Sequence, residues 1–145
     1  MENKKLLMLG PIGSGKTTLC QWLAGLEREY SKTYSVELIG GSIDTPGEYI
    51  ENRGLWYRLK VAAADAEMVL FVQDCVNLSN HFAPGHSAMF SCPVVGVITK
   101  IDLAPGPEAI AEAKTLLELA GANTCFPVSL LTGEGLDKLK EFIYA

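Results

Sequence analysis

Basic clusters are missing from this chain. Lysine and arginine number 12 against 17 aspartates and glutamates, a formal charge of −5, and they are scattered. A nucleic-acid partner or an anionic membrane surface calls for a basic stripe or patch, so neither is expected. Long apolar runs are missing near the N-terminus as well. Only Leu6 to Leu9 separates Lys5 from Gly10, too short for a signal-peptide core or a membrane span. A cytoplasmic protein with no membrane insertion is the expectation. Cysteine is sparse: Cys20, Cys75, Cys92 and Cys125 form no C-x-x-C pair, and no histidine stands at ligand spacing from them. They read as four reduced thiols, small hydrophobes beside apolar runs, rather than a metal or redox centre. His81 and His86, beside Pro84 and Gly85, predict a surface loop. No repeat, linker or low-complexity tract breaks the 145 residues, of which 48% are hydrophobic and 20% charged. That composition predicts one α/β domain over residues 1–145 with a full core.

What the chain does have begins at Gly10. Gly10-Pro11-Ile12-Gly13-Ser14-Gly15-Lys16-Thr17 spells G-x-x-x-x-G-K-[ST], a phosphate-binding loop. An apolar run, Leu6-Leu7-Met8-Leu9, precedes it as a buried strand would, and a helical pattern from about Lys16 to Leu26 follows. Glycines without a Cβ let the backbone come close to a polyphosphate, with successive N–H groups turned inward at a helix N-terminus. Gly10, Gly13, Ser14, Gly15, Lys16, Thr17 and Thr18 are therefore the expected phosphate contacts. Lys16 would reach the β- and γ-oxygens, and the Thr17 hydroxyl would ligate the Mg²⁺ they share.

Further along, Ser35 to Ile39 alternates as a half-exposed strand does, Gly40-Gly41 signals a tight turn, and Ser42-Ile43-Asp44 forms the second arm of a hairpin. It leads into Asp44-Thr45-Pro46-Gly47, a D-x-x-G. Beside a phosphate loop, Asp44 is expected to hold Mg²⁺, usually through a water, and the Gly47 N–H can meet a γ-phosphate, making Glu48 to Gly54 a switch segment. Apolar Leu55, Leu59 and Ala62 predict a helix after it. Met68 to Gln73 and Pro93 to Thr99 read as buried parallel strands. Asn77 to Phe90 reads as a loop with a short helix.

Thr99-Lys100-Ile101-Asp102 closes the second of these strands as T-K-x-D, against the N-K-x-D that reads guanine. Asp102 can accept from guanine N1–H and N2–H₂, and the Lys100 stem can lie along the base. Thr99 is shorter than asparagine and has no amide, so part of the loop's support is expected to be missing. Pro107 opens a helix with Ile110, Ala113, Leu116, Leu117 and Ala120 on its apolar face and Gly121 as its stop. Cys125 to Val128 is a last strand. Leu136, Leu139 and Ile143 mark the closing helix. Ser129-Leu130 stands where a base-packing S-A-K loop would fall.

These motifs in this order resemble the Ras-like GTPases of the translation-factor-related class. The match is closer to the small P-loop proteins of bacterial ethanolamine- and propanediol-utilisation operons. It is carried by GPIGSGKTTL (Gly10 to Leu19), IDTPGEYIENR (Ile43 to Arg53), AADAEMVLFVQD (Ala63 to Asp74) and GVITKIDLA (Gly96 to Ala104). The resemblance implies about six mostly parallel strands with helices on both faces and a nucleotide at the strands' C-terminal edge. It also implies a role around microcompartment metabolism, with shell or pathway proteins as partners. Glu48 stands where a glutamine often orients the attacking water. Its carboxylate would repel a γ-phosphate unless protonated or turned away, so slow turnover is expected. Lys16, Gly47 and Glu48 are the expected catalytic contacts, with Thr33 as candidate third Mg²⁺ contact and an ordinary loop residue as its alternative.

Three functions stay open. The first is a Mg²⁺·GTP switch hydrolysing slowly to GDP. The second is an ATP-dependent kinase acting on acetate, with Arg53, Arg58 and His86 as candidate carboxylate partners and surface charges as their alternative. The third is a nucleotide-binding microcompartment accessory protein with little turnover.

Overall fold

The computed structural model describes residues 5–11, 13–23, 37–39, 42–44, 61, 63–78, 82 and 84–144, with only the backbone at 37–39, 42–44 and 65. Six strands form one sheet: β1 (Leu6–Leu9), β2 (Glu37–Ile39), β3 (Ser42–Asp44), β4 (Met68–Asp74), β5 (Val94–Thr99) and β6 (Cys125–Pro127). Their spatial order is β2-β3-β1-β4-β5-β6. β3, β1, β4, β5 and β6 pair in parallel, and only the short β2 runs antiparallel, against β3. The expected count, direction and hairpin are all present.

The described helices are α1 (Lys16–Leu23), α2 (Pro107–Ala120) and α3 (Leu136–Ile143). They cover both sheet faces, which is why β1, β4 and β5 are apolar without alternation. Leu6, Met8, Leu70 and Val72 face one way, onto Leu19, Cys20 and Leu23 of α1 and Leu136, Leu139 and Ile143 of α3. Leu7, Leu9, Val69 and Phe71 face the other way, onto Ala109, Ala113, Leu117 and Ala120 of α2. The buried stripe of α2 thus starts at Ala109 rather than Ile110, and Ile110 and Leu116 are half-buried. Alanine at three of those four positions lets the helix sit close to the strands. Pro107 takes the first turn, and Gly121 ends the helix in a left-handed conformation, φ 107°, donating its N–H to Glu118.

The expectation for His86 is overturned. It is 4% exposed and packs among Phe71, Phe82 and Phe90, with ring centroids 5.5, 6.2 and 6.2 Å away. Phe82 and Phe90 stand four residues to either side of it, and His86 itself opens a short 3₁₀ turn, His86–Met89. Burial there removes His86 as a partner for a carboxylate substrate. His81 lies outside the described residues, as do Ala24 to Leu26, Gly40-Gly41 and the proposed helix around Leu55, Leu59 and Ala62.

Candidate functional site

Because five strands are parallel, their C-terminal ends share one edge of the sheet, and every described motif falls on it. β1 lies between β3 and β4, so consecutive strands leave it in opposite directions and open a crevice above its end. Gly10, Pro11 and Gly13 to Gly15 occupy that crevice. Ser14 N–H closes a turn onto the Pro11 carbonyl (3.2 Å), and Leu19 N–H bonds to the Gly15 carbonyl (2.9 Å) as α1 begins. Gly13 and Gly15 have φ of 80° and 99°, values that favour glycine. Gly10 is needed for space: a Cβ there would collide with the Val72 carbonyl of β4 and the Ser14 hydroxyl. Lys16 and Thr17, first residues of α1, are 6% and 8% exposed. Ser14 is fully buried, and its Oγ has no hydrogen-bond partner among the described residues.

That geometry suits an anion. An orphaned hydroxyl, a buried lysine and left-handed glycines meet at a helix N-terminus. Asp44 ends β3 in register with Met8 of β1, which puts its backbone at the same edge as Thr17. Ile12, Thr33, Gly47, Glu48, Arg53 and Arg58 lie outside the described residues.

The second half of the crevice follows β5. Thr99 ends that strand fully buried, and its Oγ1 donates to the Ser14 carbonyl at 2.5 Å. Part of the loop's support was expected to be missing with threonine here; the threonine supplies a bond of its own. The hydroxyl ties it directly to the phosphate loop. Lys100 has φ 63°, the one positive value outside glycine among the described residues, at a cost of about 1–2 kcal/mol. The turn sends its side chain back, and Nζ donates to the Gly13 carbonyl at 2.7 Å. Asp102 follows in a short 3₁₀ turn, Ile101–Leu103. Ser129 Oγ donates to Asp102 Oδ1 at 2.7 Å and accepts the Thr132 N–H at 3.1 Å. So the Ser129 side chain orients the carboxylate, a role beyond the backbone packing expected of Ser129-Leu130.

Between these loops lies a cavity of about 450 Å³. Gly13, Gly15 and Thr18 line its phosphate-loop side, Thr99, Lys100 and Asp102 its far side, and Leu103, Leu130 and Leu131 complete it. Leu103 and Leu131 are 62% and 82% exposed, apolar surface that a flat ring inserted here would cover. Neither stands out by motif; their signal is only that each follows a motif residue.

Sequence reasoning also passed over the end of β4. Asp74 is 5% exposed; its Oδ1 accepts the N–H groups of Val76 (3.0 Å) and Asn77 (2.5 Å), and its Oδ2 lies 3.7 Å from Lys100 Nζ. Cys75 donates its N–H to the Thr99 carbonyl (3.2 Å) and its thiol to the Lys100 carbonyl (3.4 Å). Burial pushes the Cys75 thiol up from its ordinary range, with Asp74 and Asp102 adding to the effect and a backbone hydrogen bond and Lys100 opposing it. All four cysteines are free thiols.

Comparison with known proteins follows the same lines. The sequence profile of a family described as ethanolamine utilisation – propanediol utilisation matches residues 3–145. The propanediol utilization protein PduV of Citrobacter freundii is 36% identical over 142 residues, covering 98% of this chain and 94% of that protein. A protein named probable acetate kinase EutP, from Escherichia coli K12, is 28% identical over 142 residues, covering 97% and 89%. Among solved structures, translation elongation factor SelB from Methanococcus maripaludis, in complex with the GTP analogue GppNHp, has a TM-score of 0.67 at 26% identity. That match covers 98% of this chain but only 33% of SelB. A variant of Era from Aquifex aeolicus bound to GDP and AlF₄⁻ has a TM-score of 0.66 at 21% identity, covering 96% of this chain and 55% of Era. The shared part is the α/β fold of P-loop GTPases. Among the described residues no helix is long and apolar enough to cross a membrane.

Proposed function

The chain belongs to the ethanolamine and propanediol utilisation family, and from that premise we propose that it is a cytoplasmic GTPase-type switch of such a pathway. It binds a purine nucleoside triphosphate with Mg²⁺ and hydrolyses it slowly. The observation that carries this reading is the pair of bonds joining the two loops, Thr99 to Ser14 and Lys100 to Gly13, around a cavity lined by Asp102. One crevice thus offers a phosphate cradle at one end and an oriented carboxylate at the other.

Asp102 selects guanine on chemical grounds. Each carboxylate oxygen has two acceptor sites, so accepting from Ser129 leaves room for N1–H and N2–H₂ of guanine. Adenine would turn its N1 lone pair toward the same carboxylate, a repulsion. Lys16 holds the β- and γ-oxygens, Thr17 and Asp44 are the proposed Mg²⁺ contacts, and bound Mg²⁺ neutralises charge on the phosphates. Gly47 and Glu48 are the proposed contacts of the γ-phosphate and water, with Thr33 the candidate for completing the Mg²⁺ shell. Partners are shell or pathway proteins of a microcompartment, met through the loops that change with nucleotide state.

Titration with Mg²⁺ and fluorescent GTP or ATP, competed by GDP and ADP, tests this. We expect guanine preference, lost in Asp102→Ala by about 2 kcal/mol, roughly 30-fold. Preference for ATP in the wild type would refute guanine recognition.

A second reading is favoured by the relative named probable acetate kinase, aligned over 97% of this chain. In that chemistry an acetate oxygen attacks the γ-phosphorus, the bridging bond to the β-phosphate breaks, and ADP leaves with the bond's electron pair. Hydroxylamine trapping of acetyl phosphate, dependent on both acetate and ATP, separates this from hydrolysis.

A further inference from the structure

Lys100 occupies an unfavourable backbone conformation and yet connects the two halves of the crevice, so something must hold it there. Three contacts from the end of β4 converge on it. The Cys75 thiol donates to its carbonyl oxygen, the Cys75 N–H donates to the carbonyl of Thr99 just before it, and the Asp74 carboxylate lies 3.7 Å from its ammonium. Asp74 is itself fixed. Its other oxygen accepts two backbone N–H groups, while Gln73 Nε2 donates to the carbonyls of Asp74 and Asn77, each at 2.9 Å. A lysine with three donors can serve Gly13 and Asp74 together.

We infer that Asp74 is a positioning residue: it holds the Lys100 ammonium on the phosphate-loop carbonyl and so keeps the two walls of the nucleobase cavity joined before any ligand arrives. This deepens the proposed function, since it rests on that cavity taking a nucleobase. An acceptor on Oδ1 is all the β4 turn itself requires, and an amide oxygen would supply it. Among the described residues, the other oxygen has Lys100 as its ion-pair partner. Asp74→Asn therefore separates the two roles.

Two measurements test this, one without nucleotide. In the nucleotide-free protein, amide hydrogen exchange at residues 13–15 and 99–102 speeds roughly tenfold in Asp74→Asn while the thermal midpoint barely moves. With N-methylanthraniloyl-GDP, its dissociation rate rises about tenfold. In a Lys100→Met background, adding Asp74→Asn changes neither quantity further. Unchanged exchange in Asp74→Asn, or equal effects with and without Lys100, overturns the inference. A wild-type protein that binds no labelled nucleotide, while Asp74→Asn still loosens both segments, overturns the proposed function and leaves the positioning role standing.

Discussion

Gly10, Gly13 and Gly15 shape one half of the crevice by what they lack, and Thr99, Lys100, Asp102 and Ser129 shape the other by what their side chains reach. In the phosphate loop Gly13 and Gly15 take left-handed φ values, and a side chain at Gly10 would collide with β4. Opposite it, single side-chain bonds of 2.5 to 2.7 Å from Thr99, Lys100 and Ser129 carry the organisation. The difference teaches where tolerance lies. A backbone-built cradle is common to every nucleoside triphosphate and admits little change. A site built from side chains can be retuned one residue at a time, as threonine in asparagine's place illustrates.

Lys16→Ala is the strongest test of that contrast. It removes charge-assisted bonds to phosphate and should weaken binding by about 3 kcal/mol, more than 100-fold, equally for guanine and adenine nucleotides. Isothermal titration with both would show it, and a base-dependent loss would blur the division between the halves. Gly10→Ala comes next. The added methyl has no space between the Val72 carbonyl and the Ser14 hydroxyl, so the fold should lose about 2 kcal/mol by denaturant unfolding. Wild-type stability in that variant would mean the cradle is not backbone-limited.

Thr99→Val sharpens the other side. The shape is kept, but the buried Ser14 carbonyl loses its hydroxyl partner, which should cost about 1 kcal/mol in stability and a few-fold in nucleotide affinity. If Thr99→Asn instead tightens guanine binding more than tenfold, the hydroxyl is a poor substitute and the two halves are less firmly joined than the geometry indicates.

The two halves also differed in how far they could be read beforehand. Glycine spacing betrays a backbone-built loop because only glycine satisfies its φ values and close approaches, so Gly10 to Thr17 stood out at once. The strands were legible for a related reason: burial on both faces makes β4 and β5 continuous apolar runs. Ser129 orienting Asp102, and Asp74 reaching Lys100, depend on which strand ends the sheet order brings together, β5 beside β6 and β4 beside β5. Motif spelling carries no such information. His86 failed differently. Pro84 and Gly85 do mark a turn, but His86 packs among Phe71, Phe82 and Phe90, and the contact with Phe71 of β4 is one that local spelling does not carry.

The smallest effect should be one of pH, and it should appear on the base side alone. Burial raises the Cys75 thiol above its ordinary value of 9.0, so the folded state favours the protonated form more than the unfolded chain does. The stability this contributes is fully present below about pH 9 and is lost as pH rises through the higher folded value. Deprotonation would also remove the donor to the Lys100 carbonyl and set a thiolate against it. Nucleotide dissociation should therefore quicken above pH 9 in the wild type by a small factor. Cys75→Ser, whose hydroxyl keeps the donor and stays neutral, should show a flatter profile over the same window. Parallel profiles would mean that the lysine turn does not depend on the thiol, leaving Asp74 and the Cys75 backbone N–H to hold the base side in place.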